Sequence, residues 1–161
     1  MNAAITGFAE AIATSSYGQW ASGSALAYPV ANVVHLLGLV MLVGAIGIVD
    51  LRLAGAFRAV PVAPLYRSLR PVAIAGLVVI VPSGATMFAS DATTFAGSAV
   101  FRWKISLIAV ALTNVVAFHI LWRHRIDDWD RSAPVAGRLM AAASVMLWLT
   151  IGAFGRMIAY S

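Results

Sequence analysis

The sequence predicts an all-α integral membrane protein, a four-helix bundle preceded by a short N-terminal interfacial helix, with both termini outside. Three observations predict it. Hydrophobic residues make up 61% of the 161-residue chain and charged residues only 11%, more apolar surface than a soluble domain of this size can bury. That apolar content falls in four stretches, each near the roughly 20 residues a helix needs to cross about 30 Å of hydrocarbon. The arginines gather in alternate connections between the stretches. Arg52, Arg58, Arg67 and Arg70 follow the first, and Arg123, Arg125, Arg131 and Arg138 follow the third.

Residues 1–29 read as an outer interfacial segment. Ala4, Ile5, Phe8 and Ile12 recur at helical spacing on one face, as a helix lying on a membrane surface requires. The segment has no basic opening and carries Glu10, so it is not a secretory signal. Ser15, Ser16, Gly18, Gly23 and Pro29 break the chain before the first span, and Trp20 and Tyr28 suit the headgroup region. Residues 30–161 read as the bundle, with spans Val30–Val49, Pro71–Ala89, Trp103–Trp122 and Val135–Tyr160.

Each span carries an irregularity. Pro82-Ser83-Gly84 in span two is expected to kink the helix, since proline lacks a backbone donor and crowds the preceding turn. Asn114 in span three needs a partner at membrane depth and is expected to hydrogen-bond another helix. Ala133, Gly137 and Ala141 at four-residue intervals allow close approach, within the bundle or across a homo-oligomer interface. By the positive-inside rule, Asp50–Arg70 and Arg123–Pro134 face the cytoplasm, while Ser90–Arg102 and both termini face outward. The formal charge of +5 therefore reports topology and attraction to lipid, not nucleic-acid binding. With no cysteine in the chain, disulfides, thiolate metal sites and covalent c-type haem are excluded.

Depth separates the polar residues into two layers. His35 lies about 9 Å below the outer boundary and Arg156 at about 6 Å, counting 1.5 Å per residue. Lys104 opens span three at the same level, so His35, Lys104, Arg156 and Tyr160 can share an outer layer. An imidazole with two cations above it suits haem b, whose iron takes a histidine and whose propionates take arginine or lysine. Gly38, one turn from His35, is expected to leave room for the flat ring. Met87, Met157 or a second copy's His35 are candidates for the sixth ligand. His119 lies at about 24 Å depth, too deep to share that iron. It belongs to an inner layer, where it pairs with Asp50, Arg70 or Arg138, or ligates a second haem or metal. His124 reads as an exposed loop residue, and the bland account of His35 is a hydrogen bond, with Asn32 as one partner.

The runs YPVANVVHLLGLVMLVGAIGIVDLRLAG, LRPVAIAG, PSGATMFA, FRWK, the mid-span Asn with FH after it, and the terminal GRMIAY resemble a group of small bacterial four-helix membrane proteins. That group is largely catalogued as a domain of unknown function. It is similar to the membrane part of CopD-like copper-resistance proteins and, distantly, to transmembrane cytochromes b. The resemblance implies a multi-pass protein of the bacterial inner membrane connected with haem or copper. Its marking positions are Tyr28, His35, Asp50, Arg52, Arg70, Lys104, Asn114, His119, Trp148, Arg156 and Tyr160. The leading expectation is electron transfer through haem b near the outer face, with a redox partner. The alternatives are a non-catalytic assembly or anchoring subunit, and a copper or small-solute permease using His35 with Met41, Met87, Met140, Met146 and Met157. No phosphate loop, nucleophile elbow or paired-carboxylate site is present.

Overall fold

The computed structural model describes residues 3–158; the expected site residue Tyr160 lies outside them. Eight α-helices follow in order: α1 (Ala3–Thr14), α2 (Ser16–Gly23), α3 (Ala27–Ala54), α4 (Val62–Ser90), α5 (Ala92–Gly97), α6 (Ala99–Trp122), α7 (Trp129–Ser132) and α8 (Val135–Met157). No strand occurs among the described residues. Helices α3, α4, α6 and α8 are long and apolar enough to cross a membrane. Their outward faces are apolar as well: Val40 is 72% exposed, Val78 65%, Ile120 65% and Leu139 65%. A helix apolar on every side needs lipid, not water, around it.

Around the bundle the order is α4, α3, α8, α6. The most extensive packing is α3 on α4, followed by α6 on α8 and α3 on α8, while α4 and α6 barely touch. Two glycines explain the first pairing. A Cβ on Gly76 would sit 2.6 Å from the Leu42 nitrogen and 2.8 Å from the Gly38 oxygen. One on Gly38 would sit 2.8 Å from Ile80 Cγ1. Without side chains at this crossing, the two backbones meet directly, as small residues allow between membrane helices.

Helices α3, α4 and α6 overrun their expected limits. α4 begins at Val62 and passes unbroken through Pro71 and Pro82, where the sequence suggested a start at Pro71. Each internal proline removes a single helical hydrogen bond, and the flanking turns continue. Arg67 and Arg70 therefore ride on a helix. α3 begins at Ala27, with Pro29 in its first turn, where a missing N–H costs nothing. The N-terminal segment is two helices, not one. Ser15 separates them and accepts from the Gly18 N–H at 3.1 Å. Gly18 is buried against the α1 backbone at Ile12. Ala9 packs with Ala92 and Ala96 of α5, beside Ile12 and Phe88, leaving Phe8 exposed.

At the opposite end of the bundle, the arginine-rich connections are tied together. Arg52 is 6% exposed, pairs with Asp130 at 2.5 Å, and donates from Nε to the Val60 carbonyl at 2.5 Å. The second Asp130 oxygen accepts from the Val62 N–H at 3.1 Å, at the start of α4. Trp129 is buried beside Phe118, donates to the Leu53 carbonyl at 3.1 Å, and covers Gly137 with its ring. Gly137 is thus small because an indole lies on it. Arg138 donates to the Ala54 carbonyl at 3.2 Å, where α3 ends in a left-handed Gly55 (φ 118°).

The α3–α4 crossing is the testable feature. Gly76→Ala overpacks a backbone contact and should destabilise the bundle by about 1–3 kcal/mol. Gly152→Ala, whose Cβ would meet nothing within 4 Å, should be silent. Thermal unfolding in detergent reads both; equal midpoints would mean the two backbones are not in contact.

Candidate functional site

The polar side chains of the spans form two separate groups. The first is near the end of the bundle that carries α1 and α2. His35 on α3 turns toward α4, where its Nδ1 lies 3.1 Å from Ser83 Oγ. Ser83 is buried, and its hydroxyl is also 2.7 Å from the Val79 carbonyl and 3.1 Å from that of Ile80. A hydroxyl has one proton, and a helical serine gives it to the preceding turn. An oxygen so engaged would accept from the imidazole, an arrangement that puts the hydrogen of His35 on Nδ1 and the lone pair on Nε2. Gly84 makes the space: a Cβ there would be 3.1 Å from His35 Cε1. Pro82-Ser83-Gly84 thus serves as a seat for the imidazole. Asn32 is not the partner of this ring nitrogen.

Lys104 on α6 is within electrostatic reach of His35. It is half-buried and lies against α8, its Nζ 3.3 Å from where a Cβ on Gly155 would stand. Arg156 and Met157 are exposed, and Met87 is half-buried. Met87 follows Ser83 by one helical turn and shares its side of α4. Gly38 leaves no room for a ring, because Ile80, Val79 and the Gly76 carbonyl fill the space beside it.

The second group surrounds a cavity of about 300 Å³ between the four spans, toward the arginine-rich end. Most of the wall is aliphatic, and the polar exceptions are Asp50, Tyr66, Arg70, Asn114, His119, Ser144 and the Trp148 indole. The Tyr66 hydroxyl and His119 Nδ1 are 3.4 Å apart. Asn114 donates to the Met140 carbonyl on α8 at 3.1 Å, the interhelical bond expected of it. Among the described residues, three buried side-chain atoms make no well-formed hydrogen bond: Asp50 Oδ2, Ser144 Oγ and Trp148 Nε1. Ser144 is nonetheless beside Asp50, close enough for its hydroxyl to turn toward the carboxylate. A shallow groove on α4 shares Tyr66, Arg70 and Ile74 with the cavity and continues along Arg67, Pro71 and Ala75.

The two histidines are thus in different layers. About 25 Å of helix, at 1.5 Å per residue, separates Ser83 from Tyr66 on α4. Asp50, Arg70 and His119 meet at one cavity, whereas Arg138 is engaged at the end of α3. His124 is exposed beside Arg123. Among the described residues no three His, Cys, Asp or Glu side chains cluster to hold a metal. The methionines are dispersed: Met146 and Met157 are exposed, and the Met140 sulfur accepts from the Trp122 indole at 3.4 Å. Ser83, Ser144 and the tie between Arg52 and Asp130 are the contributors that sequence reasoning missed. Ser83 had a signal, standing between a helix-interior proline and a glycine.

The chain belongs to DUF6644, a family of unknown function whose sequence profile matches residues 7–161. No curated protein and no solved structure matches it. The family thus spans both polar groups and leaves their roles to be argued from the residues.

The Asn114 bond gives a prediction. Asn114→Leu removes an interhelical hydrogen bond at membrane depth and should cost about 0.6–1.7 kcal/mol, measured by unfolding in mixed micelles. A neutral or stabilising substitution would remove Asn114 from the forces joining α6 to α8.

Proposed function

We propose that the protein is a multi-pass protein of the bacterial inner membrane that binds haem b through His35 and transfers electrons near the outer face. The observation that carries the reading is the Ser83 hydroxyl at His35 Nδ1. Histidines that ligate metals characteristically donate their other ring nitrogen to a neighbouring group, which sets the tautomer and aims the free nitrogen. Ser83 is placed to do this for His35, which would leave Nε2 for the iron. Lys104, reaching from α6, supplies positive charge for a propionate. With the space beside Gly38 filled by α4, a bound haem would be held by His35 from α3 and Lys104 from α6. Half-buried Met87, on the same side of α4 as Ser83, would offer its sulfur to the group more readily than exposed Met157. Bound haem supplies one-electron chemistry; the protein holds the imidazole in one tautomer and shields it from water.

Orientation follows from charge. We place α1, α2, α5 and both termini outside, with the Arg52–Asp130 end in the cytoplasm. The chain has no cysteine, so single-cysteine variants label without background. In intact spheroplasts, Gly97→Cys should react with a membrane-impermeant maleimide and Ala59→Cys should not. Reaction of Ala59→Cys alone would invert the topology.

Protein purified from haem-sufficient cells should show a Soret band and, on dithionite reduction, α and β bands. His35→Ala should abolish them and His119→Ala should keep them. Ser83→Ala should retain the bands while weakening haem retention by about 10–100-fold, as loss of an orienting group typically does. A colourless protein that takes up no added haem contradicts the reading, and bands that survive His35→Ala contradict the ligand.

A further inference from the structure

We infer that the cavity between the spans is a binding site for a lipid-soluble molecule bearing a hydroxylated ring, a substituted phenol or hydroquinone. The site uses none of the residues assigned to haem, so either assignment can fail without the other. The argument begins with the unpaired atoms. Trp148 is 5% and Ser144 3% exposed, and both line the cavity with Asp50. Trp148 Nε1 is a donor with nothing to receive its hydrogen, and Asp50 Oδ2 makes no well-formed hydrogen bond, although the Ser144 hydroxyl can turn toward the carboxylate. Polar groups left unpaired at this depth are costly. A ligand hydroxyl can answer either atom, since it can accept from an indole and donate to a carboxylate. A carbonyl satisfies only the indole, and an ammonium leaves the indole without an acceptor.

The rest of the wall states what the hydroxyl is attached to. Leu42, Ala45, Leu77, Leu112 and Val115 face the same space and offer nothing to water. A dry cavity of about 150 Å³ admits benzene, and about 300 Å³ admits a ring with several substituents. Across the cavity, the Tyr66–His119 pair and Arg70 offer a second polar position for a further ring oxygen. Access is from the lipid, because the α4 and α6 backbones stay apart and the groove on α4 shares Tyr66, Arg70 and Ile74 with the cavity. An alkyl tail would leave by that seam.

The test uses the full chain in lipid nanodiscs, titrated with decylhydroquinone while tryptophan emission is followed. Decylbenzene is the control that enters lipid without a hydroxyl. The expected result is saturable quenching by decylhydroquinone, about tenfold tighter than any response to decylbenzene, as one buried hydrogen bond provides. Decylbenzoquinone, which has no hydroxyl to donate, should bind more weakly than the hydroquinone. Asp50→Asn should weaken the hydroquinone by about tenfold. Ala73→Leu, which fills the cavity, should remove saturation. Ser144→Ala takes away only a hydroxyl and provides the check should Ala73→Leu fail to fold; it should lower affinity with the melting curve unchanged. Equal responses to decylhydroquinone and decylbenzene, or affinity indifferent to both Asp50→Asn and Ser144→Ala, would overturn the assignment and leave a cavity holding water.

Discussion

Direct backbone contact between α3 and α4 at Gly38 and Gly76 is the constraint on which the rest of the bundle depends. Lipid surrounds apolar helices as comfortably as another helix does, so burial alone does not bring spans together. Close contact does, and two glycines permit it here. The consequence runs along both helices. With the backbones touching at Gly76, Ser83 is carried to His35, and Gly84 clears the volume its ring occupies. Pressing α4 onto α3 also draws it away from α6, and the cavity opens toward that seam.

The ends are held by different means. At the arginine-rich end, Arg52 is buried against an exposed Asp130 and the Val60 and Arg58 carbonyls, and Trp129 closes over Gly137 and the end of α3. A buried charge is tolerated when its partners are in place and costly when one is removed. This end therefore holds α3, α4, α7 and α8 in fixed register beneath the cavity. At the other end, small alanines of α1 and α5 interlock. Between the two, only a few polar side chains interrupt the aliphatic interior, and these form the two groups discussed above. Such residues in a membrane span are the first place to seek function.

The four spans were legible because length and apolar content alone decide what can cross lipid, and Asn114 because an amide at that depth has few choices. Helix limits were less legible. Pro71 resembles a start, yet a membrane helix can pass through a proline when neighbouring turns hold. The separation of His35 from His119 followed from counting residues. What faces what did not. Gly38 read as space for a ligand, since a bare glycine does not say whether a ligand or another helix fills the gap. Arg52 read as a topology signal because its partner, Asp130, is remote in sequence and sits in a connection. Ser144 gave no signal, being one small residue among alanines; it matters only because α8 turns it toward Asp50.

The central claim is that Ser83 holds the His35 imidazole in one tautomer with Nε2 free to ligate iron. Nitrogen-15 NMR of protein labelled only at its histidines tests this most directly. The account predicts a neutral His35 with its hydrogen on Nδ1, a preference that disappears in Ser83→Ala, and on haem addition a large perturbation of His35 Nε2 with the His119 signals retained. A His35 that carries its hydrogen on Nε2, or whose signals ignore haem while those of His119 move, would contradict it.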